Sequence, residues 1–161
     1  MANTDKKELI EKQSKQVLLF NRFLWLRYSL ALLFFINFYW FIFLIGMKSY
    51  GAILPLILLF LNIPSLAEQI KLYSHHKNNL TYARYFFVFQ VIILGILGII
   101  INLEIFFNLF FPFLIFNSLS LGLIYIVMFI ILGISLLNLH ALKSIRHNTD
   151  TFYQKLSKEY N

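Results

Sequence analysis

Four long runs of apolar residues, separated by short polar stretches, set the pattern of this chain. Between Tyr28 and Ile70 the only charged residues are Lys48 and Glu68, and between Tyr85 and Leu142 the only one is Glu104. Uncharged runs of about 20 residues have the length a helix needs to cross bilayer hydrocarbon. The fold class is therefore all-α: a polytopic membrane protein with four transmembrane helices in two antiparallel hairpins. The pattern places the spans at 28–47, 52–70, 85–103 and 121–142. Lys48-Ser49-Tyr50-Gly51 is a tight turn that closes the first hairpin, and the polar linker 71–84, KLYSHHKNNLTYAR, divides the two. Pro55 and Pro64 predict a bent second span, since each proline removes a helical hydrogen bond.

Three further segments flank or interrupt the spans. Residues 1–27 read as an amphipathic segment, helical over 5–27. Asp5 and Glu8 have capping-box spacing, Glu8–Lys12 and Glu11–Lys15 pair at i,i+4, and Ile10, Val17 and Leu24 share a stripe. Such a helix suits the headgroup layer or solvent equally. The tail, 143–161, carries Phe152, Leu156 and Tyr160 at i, i+4 and i+8, a stripe suited to a membrane surface or a partner. Segment 104–120, EIFFNLFFPFLIFNSLS, holds six phenylalanines (Phe106, Phe107, Phe110, Phe111, Phe113 and Phe116) and one charge. It is too apolar for a watery loop and too short to cross again. We expect it to lie at, or re-enter, the outer membrane face and to present its rings to lipid or to a partner. Alternatively, Pro112 divides it into the ends of two longer tilted helices.

Charge then orients the pattern. The net charge is +7; of the lysines and arginines, six lie in 1–27, three in the linker, four after Leu142, and Lys48 is alone. Basic residues accumulate on the cytoplasmic side, so both termini and the linker are expected in the cytoplasm, with anionic lipid as their surface partner. The same sidedness accounts for the basic balance without nucleic acid. The expected location is the cytoplasmic (inner or plasma) membrane. Abundant Phe, Ile, Asn and Lys further suggest an AT-rich bacterial genome. The first apolar run follows a polar segment and lacks a small-residue cleavage site, so it reads as a retained span. Cysteine is absent, which excludes disulfides, thiolate metal ligands and cysteine nucleophiles.

Polar residues inside hydrocarbon need partners, so the intramembrane amides are the candidate sites of specific contact. Asn37 is ten residues from Arg27 and Asn62 nine from Lys71, which sets both near mid-bilayer, facing inward and within reach of each other. Gln90 and Asn138 match in depth nearer the basic end. Gly95 and Gly98 fall near Gly133 in depth, where small residues would let two backbones approach closely.

Catalytic chemistry finds no footing. No span carries a mid-depth charge; Glu68 reads as a snorkelling acid and Glu104 sits at the outer boundary. A span-one carboxylate, needed by small multidrug transporters of comparable layout, is replaced by Asn37. His75, His76, His140 and His147 share no metal-ligand spacing, so neither a metal nor a cofactor is expected. Ser65, Ser120 and Ser135 lack a His–Asp pair. The expectation is thus a non-enzyme that works by protein–protein contact in the bilayer, as an accessory subunit of a transporter or envelope complex or as an immunity-type protein. The alternative is a homo-oligomeric pore, small-solute transporter or holin-like protein with spans one and two lining the path.

Overall fold

A computed structural model describes residues 23–71 and 80–147 of the chain. Regular structure among the described residues is entirely helical: α1 (Leu24–Gly46), a 3-10 turn (Tyr50–Ala52), α2 (Ile53–Lys71), α3 (Thr81–Ile100), a short α4 (Glu104–Phe110) and α5 (Ser118–Arg146). Four of these, α1, α2 with its preceding turn, α3 and α5, are long and apolar enough to cross a membrane. The amphipathic readings of the N-terminal segment and tail, and His75 with His76, lie outside the described residues.

The helix ends differ from the apolar runs for reasons that can be named. α1 starts at Leu24 and α3 at Thr81, so Arg27 and Arg84 lie within their helices. A long basic side chain lets the helix continue while its charge reaches past the apolar zone. α5 spans 29 residues and takes in 118–120, because Asn117 caps it: its Oδ1 accepts from the Ser120 amide at 2.7 Å. α1 closes in a Schellman arrangement. The Ser49 amide reaches back to the Leu44 carbonyl and the Lys48 amide to that of Ile45, with Lys48 left-handed at φ 54°. Pro55 falls in the first turn of α2, where its missing N–H has no helical partner to lose. Only Pro64 removes a bond, and α2 continues through it to Lys71.

α1 packs on α2, α2 on α3, and α3 on α5, whereas α1 and α5 meet sparingly. The core gathers Leu26, Leu30 and Leu33 from α1, Phe86, Phe87, Leu94 and Leu97 from α3, and Ile124, Met128 and Ile131 from α5, with Phe107 of α4. Outward faces are apolar too: Phe35, Phe60, Ile99 and Phe129 are all exposed. Helices apolar on every side suit a hydrocarbon solvent. The bundle has a basic end, with Arg27, Lys71, Arg84, Lys143 and Arg146, and an aromatic end built around α4.

Candidate functional site

The intramembrane amides are all buried: Asn37, Asn62, Gln90 and Asn138. Their bonds are not the expected ones. Asn37 Nδ2 donates to the Leu33 carbonyl of its own helix at 2.8 Å, and Asn138 Nδ2 does the same to Ile134 at 2.7 Å. Asn62 Nδ2 crosses from α2 to the Leu30 carbonyl of α1 at 3.3 Å, so Asn37 and Asn62 do not bond to each other. Gln90 and Asn138 do not pair either; their side-chain carbonyl oxygens have no partner, nor does that of Asn62. The physical reason is proximity: a carbonyl one turn back is always within reach of a short polar side chain. Ser65 and Ser135 bond to the preceding turn in the same way, at 3.1 and 2.8 Å.

The glycine expectation also changes. Gly95 and Gly133 face open space, and Gly98 meets only side chains of α5, Met128 and Tyr125, at ordinary contact distances. The tight glycine is Gly51, where a Cβ would collide with the Leu109 backbone. At Gly98 the backbone is used instead for bonding. Its carbonyl accepts from the Tyr125 hydroxyl at 2.8 Å, and Asn102 Nδ2 donates to Tyr125 and to the last carbonyls of α3. These are end carbonyls with no helical partner of their own.

At the aromatic end the six phenylalanines do not form one outward surface. Phe107 is fully buried; Phe110, Phe111 and Phe116 are half-buried; Phe106 and Phe113 remain exposed. Phe107 packs against Phe111 and Phe116, Phe111 stacks on Trp40 at 5.6 Å, and Phe113 meets Phe43. α4 is held by its own orphan carbonyls. Trp40 Nε1 donates to the Phe110 carbonyl at 2.9 Å and Ser49 Oγ to that of Leu109. Burying rings in a bundle gains packing that lipid contact alone does not supply, which is why most of them turn inward.

Between α1, α3, α5 and this aromatic segment lies a half-open cavity of about 380 Å³. Trp40, Phe43, Phe111, Leu123, Val127 and Met128 are among its lining residues, and among the described residues its only polar side chains besides the Tyr39 and Trp40 rings are Asn37 and Gln90. Gln90 is 2% exposed. Rotation of its terminal amide presents either the carbonyl or the NH₂ to the space. With no carboxylate or basic side chain among the described residues of its wall, the cavity is suited to hold apolar groups and to exchange a hydrogen bond with a polar group.

No family model, curated protein or solved structure matches the chain.

Several residues with defined roles carried no recognisable signal in sequence. Glu68 is a cross-helix cap: its two carboxylate oxygens accept from the Thr81 and Ala83 amides at 2.9 and 3.0 Å, satisfying the first turn of α3. Gln69 is buried with neither end of its amide partnered. Among the described residues no group of three His, Cys, Asp or Glu is placed to hold a metal, and His140 and His147 are exposed.

Proposed function

We propose that the protein is a non-enzymatic, multi-pass membrane protein that works by contact with another membrane protein, as an accessory or immunity-type subunit. In this reading the four spans form two antiparallel hairpins in the cytoplasmic membrane, with the basic end and both termini in the cytoplasm. The observation that carries it is a half-open, largely apolar cavity walled by α1, α3 and α5, toward which the Gln90 amide, whose carbonyl has no donor, can turn. An acyl chain fills such a space but has no donor to offer. A partner helix supplies both an apolar side chain and a hydroxyl, amide or indole donor, the combination that holds helices together in lipid.

The pore reading, with α1 and α2 lining a path between copies, has less support. Asn37 and Asn62 are turned into the bundle and committed to backbone carbonyls rather than placed on an outer face.

A photo-crosslinking amino acid at Leu123 or Val127, both exposed on the cavity rim, tests the proposal in native membranes. A discrete protein adduct is expected, absent when the same probe replaces the outward-facing Ile99. Adducts to lipid alone from all three positions would overturn it. An adduct of twice the chain mass would identify the partner as a second copy.

A further inference from the structure

A second recess lies at the basic end, between α3 and α5. It has a volume of about 350 Å³, and its lining includes Arg84 and Val88 from α3 with Leu139, Lys143, Arg146 and His147 from α5. The spacing sorts these residues by depth. Val88 is one helical turn from Arg84, and Leu139 one turn from Lys143, so an apolar slot leads up to a basic rim. Leu80 and Leu142, both buried, form the floor.

Among the described residues no carboxylate lines this recess. Glu68, the described acid at this end, is committed to the first amides of α3. Three basic side chains and a histidine therefore converge on one space, with no carboxylate beside them among the described residues. Charge complementarity calls for an anion, and the apolar slot below the rim calls for a hydrocarbon tail attached to it.

We infer that the α3–α5 recess is a binding site for an anionic glycerophospholipid, with its phosphate among Arg84, Lys143 and Arg146 and one acyl chain along Val88 and Leu139. The guanidinium groups suit a phosphate because they offer paired, forked donors, whereas Lys143 acts as a point charge. A basic pocket between spanning helices on one membrane face is the setting in which such headgroups are selected over zwitterionic ones. This site is independent of the partner cavity, which lies nearer the opposite end.

The full chain in neutral detergent, titrated with phosphatidylglycerol, phosphatidylcholine or inorganic phosphate, provides the test by native mass spectrometry and thermal unfolding. Phosphatidylglycerol should give a one-lipid adduct and raise Tm, an effect that weakens with added salt. The triple variant Arg84→Gln/Lys143→Gln/Arg146→Gln should bind it at least tenfold more weakly, whereas Lys71→Gln, a charge loss elsewhere at the same end, should leave binding within twofold. If the triple variant does not fold, Leu139→Trp keeps the rim charges and fills the slot; it too should exclude the lipid. Equal binding of phosphatidylcholine, retention of phosphatidylglycerol by the variants, or an equal Tm rise with inorganic phosphate alone would each overturn the site.

Discussion

A methyl group on Gly51 would run into the Leu109 backbone and come within 3.2 Å of the Phe110 ring, and neither neighbour is a flexible side-chain tip. The requirement is one of space rather than of dihedral freedom, because Gly51 does not occupy the positive-φ region. Gly51→Ala should therefore lower stability by about 1–3 kcal/mol, the usual range for an added methyl that forces backbone to shift. Gly95→Ala and Gly133→Ala add a methyl to open space within helices and should be neutral or stabilising by up to about 1 kcal/mol. Denaturant unfolding in detergent separates the two classes; a similar response from all three would mean that the turn and α4 are not in close contact. Glycine pattern on a helix cannot tell which glycine meets a backbone, because that depends on a neighbour far along the chain.

α3 has no capping side chain at its own N-terminus, as Leu80 occupies that position. Its free amides are met by Glu68 of α2 instead, so one helix depends on the end of another. Glu68→Ala should cost about 1–2 kcal/mol, the range for losing a helix cap and its charge at the positive helix end. Faster amide exchange at Thr81 and Ala83 together with a lower Tm is the expected readout, and Glu68→Gln, which keeps one acceptor, should fall between. The existence of the long helices was legible in sequence because apolar run length is a local property, and so was the tight turn after α1. The bonding of Glu68, Trp40 and Ser49 was not legible: each partner lies 13 to 70 residues away, and local spacing carries no information about it. The buried amides lie between these cases. Asn37, Asn62, Gln90 and Asn138 stand out in apolar runs, yet which carbonyl each one meets depends on the rotamer and the neighbouring helix.

At the scale of the bundle, the described residues leave buried polar groups without partners on three helices: the carbonyl oxygens of Asn62, Gln90 and Asn138, and the entire Gln69 amide. Each such group lowers the stability of the isolated chain relative to an apolar residue of similar shape. Gln90→Leu should therefore raise the Tm of the purified protein while weakening recovery of the crosslinked partner. A substitution that lowers both equally would assign Gln90 to packing alone, and one that raises both would remove its role in contact. Finally, the fastenings between the two halves are unevenly placed. Glu68 joins α2 to α3 at one end, and the Ser49–Leu109 and Trp40–Phe110 bonds join the halves at the other, whereas α1 and α5 meet sparingly, with the Trp40–Phe111 and Phe43–Phe113 ring contacts at the rim of their boundary. The α1–α5 side is therefore the least fastened seam of the bundle. A partner of the proposed kind would meet that seam by sliding in the plane of the bilayer, without having to pass through the headgroup layer.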